Sequence, residues 1–216
     1  MIVSDSKKFV LFHNPKTGGS SLTELLAPYS NRKSSRLKGH GWQVQFHYGG
    51  MHMTADESWA SMGRPEWKSY FWFCFVRNPF DLVVSAWSNR IETYANPTGI
   101  HKARMDAAGI PNPIPNISLR RFVDLELGNN RFLHIRRTQT DNVITGAPKE
   151  MNMIGRFETL DADWARIAKE INVLPLLPHR NKSNRESDYR QYYDDETKAI
   201  VEQFYMDDLN NFNYSF

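Results

Sequence analysis

The stretch Phe9-Val-Leu-Phe-His-Asn-Pro-Lys-Thr-Gly-Gly-Ser-Ser-Leu22 decides how this chain is expected to fold. It begins with a short apolar run that is typical of a buried strand, passes through a turn with proline and glycine, and ends where a helix can start. Residues 8–13 are therefore predicted to form the first strand, and residues 19–28 the first helix. In this arrangement the backbone N–H groups of the helix N-terminus face the turn and can bind an anion.

The turn in this stretch carries the chemical groups that an anion site needs. Gly18 and Gly19 let the backbone approach a ligand closely and tolerate positive φ. One ammonium and three hydroxyls stand beside them, on Lys16, Thr17, Ser20 and Ser21. The predicted ligand is a phosphate or a sulfate, and the alternative is an ordinary Pro-Gly turn with a solvated lysine.

Length and composition indicate a folded globular protein. The chain has 216 residues, of which 40% are hydrophobic and 13% aromatic, and this is enough for one sizeable core. We therefore expect one domain over residues 1–216. The net charge of +3 does not favour nucleic-acid binding but suits a small anionic ligand. Cys74 is the single cysteine, so an intramolecular disulfide is excluded and the residue is expected to be buried and inert.

The N-terminal residues favour a cytoplasmic protein. Met1–Lys8 has no apolar signal core, and no segment of the chain approaches the ~20 apolar residues that a spanning helix needs. The expectation is a soluble intracellular protein without a transmembrane segment, and a peripheral contact with a membrane stays open.

Apolar patterns predict the remaining elements. Tyr70–Val76 is a continuous apolar run of the kind found in buried parallel strands, and Asn78-Pro79 directly after it begins a helix. Shorter elements are predicted downstream: a helix after Ser118, a strand at Met153–Phe157, a helix between Leu160 and Ile171, and a helix from about Asp194. Residues 29–50 are expected to be a loop-rich crossover, and residues 96–117 a lid-like loop.

The alternation of strands and helices predicts a three-layer α/β fold with a mainly parallel central sheet flanked by helices. In such a sheet the ligand lies at the carboxyl ends of the strands. Pro15–Ser21 and Arg77–Ser85 both follow a predicted strand, so we expect the two segments to meet at one site.

The segment Val76-Arg-Asn-Pro-Phe-Asp-Leu-Val-Val-Ser85 is the second candidate anion site. Arg77 leaves the end of a buried strand, and its guanidinium offers a fixed fork of donors that matches a phosphate. Ser85 lies on the following helix and can add a hydroxyl. The alternative is an arginine that caps the sheet edge and a serine that packs on its helix.

Together the two segments resemble the nucleotide-binding motifs of the sulfotransferase family. Pro15-Lys-Thr-Gly-Gly-Ser-Ser-Leu22 looks like the loop that binds the 5′-phosphosulfate, and Arg77-Asn-Pro with Ser85 looks like the motif that binds the 3′-phosphate. Later segments look like the carbohydrate-type (heparan/chondroitin-like) branch of the family: Gly155–Glu158, Asn181–Ser183 and Tyr192–Thr197. The resemblance implies a P-loop-like fold, 3′-phosphoadenosine 5′-phosphosulfate as the sulfuryl donor, and 3′,5′-phosphoadenosine as the product.

The resemblance also implies roles for individual residues. Lys16 would contact the bridging oxygen of the leaving group, while Arg77 and Ser85 would hold the 3′-phosphate. The 5′ end of the donor would be bound by the turn residues Thr17, Gly18, Gly19, Ser20 and Ser21. Many members have a second arginine soon after the Asn-Pro element, and this chain has Leu82 there. Lys182 lies in a basic loop that is predicted to close over the donor, and a solvated surface loop is the alternative.

Transfer to a hydroxyl needs a general base, commonly His or Glu, which contributes about 10²–10⁴-fold to the rate. His52, in Gly49-Gly-Met-His-Met-Thr54, is the predicted base, because it directly precedes a helix start and because heparan-type enzymes have a histidine in a similar segment. His47 is the second choice. A metal site is not predicted, since the chain has no His-Glu-x-x-His pattern and no cysteine partner for these histidines.

Two other classes of protein compete with a sulfotransferase. A P-loop kinase or NTPase would have its lysine after the last glycine of the loop, whereas Lys16 precedes both glycines, and it would have a Mg²⁺-binding aspartate where Arg77 stands. A non-catalytic nucleotide-binding module is the other alternative. The expected partner is a small-molecule or saccharide acceptor, nucleic acid is not expected, and the oligomeric state stays open.

Overall fold

The computed structural model describes residues 1–31, 34–37, 41–44, 55–62, 64–128, 135, 137–145, 147, 149–177 and 185–216. Its strands and α-helices are, in chain order, β1 (Ile2–Ser4), β2 (Phe9–Phe12), α1 (Gly19–Leu26), β3 (Ser34–Leu37), β4 (Gly41–Val44), α2 (Ala55–Met62), β5 (Phe71–Val76), α3 (Pro79–Ser88), α4 (Ile91–Ala95), α5 (Gly99–Ala107), α6 (Leu119–Leu127), α7 (Gln139–Val143), β6 (Met153–Arg156), α8 (Leu160–Glu170), α9 (Asp195–Phe204) and α10 (Met206–Phe212).

The chain divides into two compact units. The first comprises Met1–Arg77 and Gln139–Lys182, and the second comprises Asn78–Thr138 and Ser183–Phe216. The expectation of one domain over the whole chain stays a prediction.

The first unit contains a four-stranded sheet in the order β1-β2-β5-β6. β2 and β5 are parallel, as are β5 and β6, while β1 is antiparallel to β2 at the edge. The predicted α/β fold with a mainly parallel sheet is therefore confirmed. β1 was not predicted, because a strand of three residues shows no periodicity.

Helices cover both faces of this sheet and form the predicted three layers within the first unit. Successive residues of a strand point to opposite faces, so β5 needs apolar side chains at every position. One face packs against α1 and α8 through a buried apolar cluster that includes Phe9, Leu11, Leu22, Leu26, Phe73, Phe75, Trp164 and Ile167. On the other face, the Trp72 ring lies 5.1 Å from that of Phe12 and 5.8 Å from that of Trp59 on α2, measured between centroids.

The sheet register places the ends of β2 and β5 at the same edge. Phe12 pairs with Cys74, so the two strands end within two residues of each other. The Asn14 side chain, which is fully buried, donates from Nδ2 to the carbonyl of Phe75 at 3.0 Å and so links the chain beyond β2 to the end of β5. The segments that follow both strands therefore start from a shared, rigid base.

In the part of the second unit that the structure describes, the regular elements are helical. Their buried apolar side chains form one core that includes Phe80, Leu82, Val83, Phe122, Val123, Val201 and Tyr205. The predicted helix starts are confirmed by their capping side chains. Asn78, Ser118 and Asp194 accept hydrogen bonds from the N–H groups of Phe80, Arg121 and Thr197, respectively.

Several segments differ from the sequence-based expectation. Part of the predicted 29–50 loop is an antiparallel pair, β3 with β4, which owes its order to strand pairing rather than to apolar alternation. The predicted 96–117 loop contains α5, a largely polar helix without an apolar stripe. α7 was not predicted, because five residues are too few to show a helical period. The predicted last helix is two helices, α9 and α10, with Tyr205 between them.

Candidate functional site

The turn between β2 and α1 has the backbone conformation of an anion-binding loop. Lys16 and Gly18 have positive φ values of 64° and 83°, and Thr17 between them does not. Such alternation turns successive N–H groups toward one concavity, where they attract negative charge. The left-handed conformation costs a residue with a side chain about 1–2 kcal/mol, so the conformation of Lys16 must be held by its surroundings.

The N-terminus of α1 adds donors to this loop. Gly18 is the N-cap residue, and no side chain in the described part of the chain caps the helix. The N–H groups of Ser21 and Leu22 donate to the Gly18 carbonyl at 3.1 and 3.2 Å, whereas those of Gly19 and Ser20 make no backbone hydrogen bond within the described residues. These two donors, at the positive end of the helix dipole, are available to an anion.

Close packing and a buried hydrogen bond fix the conformation of the loop. A Cβ atom on Gly19 would lie 1.7 Å from Nε2 of His13, so only glycine fits against the imidazole in this arrangement. The Thr17 hydroxyl is buried and donates to the carbonyl of Asn14 at 2.9 Å. Its proton is therefore engaged within the loop, and Thr17 has its backbone N–H to offer to a ligand.

Arg77 brings a second cation to the same loop. It directly follows β5, is 5% exposed, and donates from Nη1 to the carbonyl of Lys16 at 2.9 Å. Its guanidinium carbon lies 3.9 Å from the centre of the Phe157 ring, a cation–π contact. The structure thus brings Lys16 and Arg77 together, as the placement of both after neighbouring strands predicts.

Two side chains that were not predicted from the sequence as site residues hold Arg77. Gln139 on α7 accepts a hydrogen bond from the Arg77 N–H and donates to the Arg77 carbonyl, both at 2.8 Å. Phe157 supplies the ring beneath the guanidinium. Phe157 lies in the segment Gly155–Glu158, which is similar to a segment of the carbohydrate-type sulfotransferases. The sequence therefore pointed to this region, although not to the role of the ring. Nothing in the sequence around Gln139 marks this residue.

Asp163 anchors the turn that carries Phe157. Its carboxylate accepts hydrogen bonds from the Arg156 N–H at 2.7 Å, from the Thr159 hydroxyl at 2.8 Å, and from the Arg166 guanidinium. Burial alone would raise the pKa of Asp163, but these hydrogen bonds outweigh it and hold the pKa below its ordinary value. A charged Asp163 therefore holds Arg156 and Thr159, the residues on either side of the turn that carries Phe157.

The other predicted donor-binding residues within the described ranges lie on α1 and α3. In the first turn of α1, Ser20 is exposed and Ser21 is buried. Ser85 is buried on α3 in the second unit, and its partnership with Arg77 stays a prediction. Leu82, at the position where a second arginine is common, belongs to the apolar core of that unit.

His47, His52 and Lys182 lie outside the described residues, so their roles stay predictions. Arg185, close to Lys182 in sequence, forms an ion pair with Asp81 at 2.5 Å in the second unit. In the described ranges, no cluster of three or more His, Cys, Asp and Glu side chains is arranged to hold a metal ion.

A mainly parallel sheet that carries a glycine loop, a helix N-terminus and a buried arginine at one edge is typical of a P-loop-like α/β fold. A family model described as the sulfotransferase family matches residues 1–215. The chain belongs to this family and is a transferase that moves sulfuryl groups.

Comparison with curated proteins and with solved structures gives no significant match. Nowhere in the described ranges is a helix both long and apolar enough to cross a bilayer.

Proposed function

We propose that this sulfotransferase takes its sulfuryl group from 3′-phosphoadenosine 5′-phosphosulfate and transfers it to a hydroxyl of a carbohydrate. The observation that carries the proposal is the hydrogen bond from the Arg77 guanidinium to the carbonyl of Lys16. A loop of backbone donors and a separate guanidinium, joined at one peptide group, suit a ligand that has two anionic ends.

The peptide plane between Lys16 and Thr17 explains why these donors serve separate groups. In a trans peptide the N–H and the C=O point in opposite directions. Because Arg77 holds the carbonyl of this plane, the Thr17 N–H is directed away from the guanidinium. We therefore assign the 5′-phosphate to the loop and the 3′-phosphate to Arg77, with Ser85 as its proposed second partner.

The residues of the loop fit the leaving phosphate of the donor. In our assignment, the N–H groups of Thr17, Gly18, Gly19 and Ser20 surround the 5′-phosphate, and Ser21 contributes its side chain, because its N–H donates to the Gly18 carbonyl. The donor supplies an electrophilic sulfur, and negative charge grows on the phosphate oxygen as the sulfuryl group leaves. Lys16 and the positive end of α1 stabilise that charge, which is the largest contribution expected from a site of this kind.

The acceptor needs a residue that removes its proton. His52 is the proposed base, with His47 as the alternative, and Lys182 is proposed to close over the donor. The carbohydrate acceptor rests on the resemblance of Gly155–Glu158 and the later segments to the carbohydrate-type branch, and we place acceptor selection in residues 29–50 and 96–117. The cytoplasm is the proposed compartment.

The proposal is tested by incubating the protein with sulfur-labelled donor and a panel of oligosaccharides, simple sugars and phenols. The wild type should label at least one saccharide, and Lys16→Ala should lower the rate by about 10²–10³-fold. Lys169→Ala, which removes an exposed lysine from α8, is the matched control and should keep the wild-type rate.

Two results would overturn the proposal. Hydrolysis of ATP with Mg²⁺, together with no response to the sulfuryl donor, would identify an NTPase. Tight binding of 3′,5′-phosphoadenosine without a labelled product on any acceptor would identify a binding module.

A further inference from the structure

The backbone of Arg77 lies at a point where the sheet stops providing hydrogen-bond partners. The last pair of the β5–β6 ladder joins Val76 to Arg156, so Arg77 is the first residue beyond the ladder. Its side chain and backbone are nevertheless buried. A buried N–H and C=O need partners, and for Arg77 a side chain bonds to both groups.

Gln139 supplies both partners with one side chain. It is 1% exposed, its Oε1 accepts from the Arg77 N–H, and its Nε2 donates to the Arg77 carbonyl, each at 2.8 Å. A residue of an antiparallel strand would provide the same two bonds in a hydrogen-bonded pair. The side-chain amide therefore takes the place of a strand partner for Arg77, one residue beyond the parallel β5–β6 ladder.

We propose that Gln139 is a positioning residue for the Arg77 guanidinium, an inference that rests on the proposed function. Two hydrogen bonds to the same residue restrict its φ and ψ, and these angles set the direction of the Cα–Cβ bond. That direction brings the guanidinium over Phe157 and onto the carbonyl of Lys16. Gln139 thereby sets how Arg77 meets the 3′-phosphate without touching the ligand itself.

The charge and size of Gln139 fit this role. A neutral amide carries both a donor group and an acceptor group, and these match the C=O and the N–H of Arg77. A glutamate would keep the acceptor but, when ionised, could not donate to the carbonyl. A methionine would keep the length of the side chain and lose both hydrogen bonds.

The test compares the affinities for 3′,5′-phosphoadenosine and for adenosine 5′-phosphate, which lacks the 3′-phosphate, by calorimetric titration. We expect the ratio of the two affinities to fall about tenfold in Gln139→Met, because the misaligned guanidinium loses one charge-assisted hydrogen bond to the 3′-phosphate. General loosening of the fold would lower both affinities and leave their ratio unchanged. Asn142→Leu removes another buried amide from α7 and should keep the wild-type ratio.

A second variant and two double mutants test whether Gln139 acts through Arg77. If Gln139→Met does not fold, Gln139→Glu retains the length and the acceptor, and its ratio should fall as well. In an Arg77→Ala background, neither substitution should change the ratio. An unchanged ratio in the single variants, or an equal fall in both backgrounds, would overturn the positioning role and leave the proposed function intact. A wild type that binds neither nucleotide would overturn the proposed function and this inference with it.

Discussion

The loop after β2 and the turn after β5 bring positive charge to the same edge of the sheet by different means. The loop presents backbone N–H groups, whose direction is set by the left-handed residues Lys16 and Gly18 and by the close contact of Gly19 with His13. The turn presents one side chain, Arg77, whose direction is set by residues from other parts of the chain. The first device is encoded locally, and the second depends on tertiary packing.

This difference predicts different responses to mutation. A donor that belongs to the backbone survives the removal of its side chain, so the loop should be sensitive to added atoms rather than to lost ones. A donor that belongs to one side chain is lost with that side chain. Substitutions in the loop and in the turn should therefore affect nucleotide binding in different ways.

The largest effect on nucleotide affinity is expected for Arg77→Ala. The substitution removes the proposed contact with the 3′-phosphate and the hydrogen bond to the loop carbonyl, worth about 3 kcal/mol together, and the affinity for 3′,5′-phosphoadenosine should fall about 100-fold. Arg77→Lys should recover only part of the loss, because an ammonium lacks the planar fork. Calorimetric titration measures both variants, and Arg121→Ala on exposed α6 surface is the control. If Arg77→Ala binds with wild-type affinity, the turn after β5 is not part of the binding site.

A smaller loss is expected for Gly19→Ala. The added methyl group overlaps the imidazole of His13, so the loop and the ring must separate, and affinity for 3′,5′-phosphoadenosine should fall about tenfold. Adding His13→Ala restores the space and should recover most of the affinity. Gly99→Ala controls for general destabilisation, because a Cβ there meets nothing within 4 Å while the φ of 52° strains the alanine, and it should keep the wild-type affinity. If Gly19→Ala binds as tightly as the wild type, the loop is not held by this contact.

The stability of the turn that carries Phe157, the ring in contact with the Arg77 guanidinium, should depend on pH through Asp163. Its folded-state pKa is lowered, so the charged carboxylate stabilises the fold above its ordinary pKa of 3.8, and this stabilisation is lost as the pH falls through the folded value. Asp163→Asn should lower the free energy of unfolding by about 1–3 kcal/mol at pH 7. The difference from the wild type should shrink below pH 4, as followed by urea denaturation.

Asp161→Asn, in the same turn of α8 but exposed, is the matched control and should change stability by less than about 0.5 kcal/mol. A difference between the wild type and Asp163→Asn that stays constant from pH 7 to pH 3 would mean that the charge of Asp163 does not hold this turn.

The smallest effect is expected for the stability difference between two substitutions of Lys16, which separate the strain in its backbone from the charge of its side chain. Lys16→Ala keeps the left-handed strain, whereas Lys16→Gly removes it, so the glycine variant should be more stable than the alanine variant by about 1 kcal/mol in thermal denaturation. Both variants lack the ammonium and should transfer sulfuryl groups equally slowly. Equal stability of the two variants would mean that Lys16 carries no strain.

The sequence predicts the loop side of the site better than the turn side. Pro15–Leu22 contains its own strand end, glycines and helix start, so local pattern is enough to place the donors. The long apolar run of β5 likewise predicts a buried parallel strand. The sequence places Arg77 at the end of a strand, but it does not indicate that Gln139 holds it. A single glutamine on a five-residue helix has no periodic signal, and it reaches Arg77 only through the tertiary fold.

The strands and the helix that were not predicted share one property, which is that no local apolar pattern marks them. β1 and the β3–β4 pair are ordered by hydrogen bonds to neighbouring strands, which no local apolar pattern reveals. α5 is a mostly polar helix, so its sequence resembles that of a loop. The prediction fails where order comes from distant partners and succeeds where it comes from apolar periodicity or turn chemistry.

A crystal structure with bound 3′,5′-phosphoadenosine would show which donors hold each phosphate. We expect the 5′-phosphate within hydrogen-bond distance of the Gly19 and Ser20 N–H groups, and the 3′-phosphate on the guanidinium of Arg77, with the bond from Arg77 to the Lys16 carbonyl retained. A nucleotide bound in the opposite direction, or with neither phosphate at these donors, would contradict this assignment.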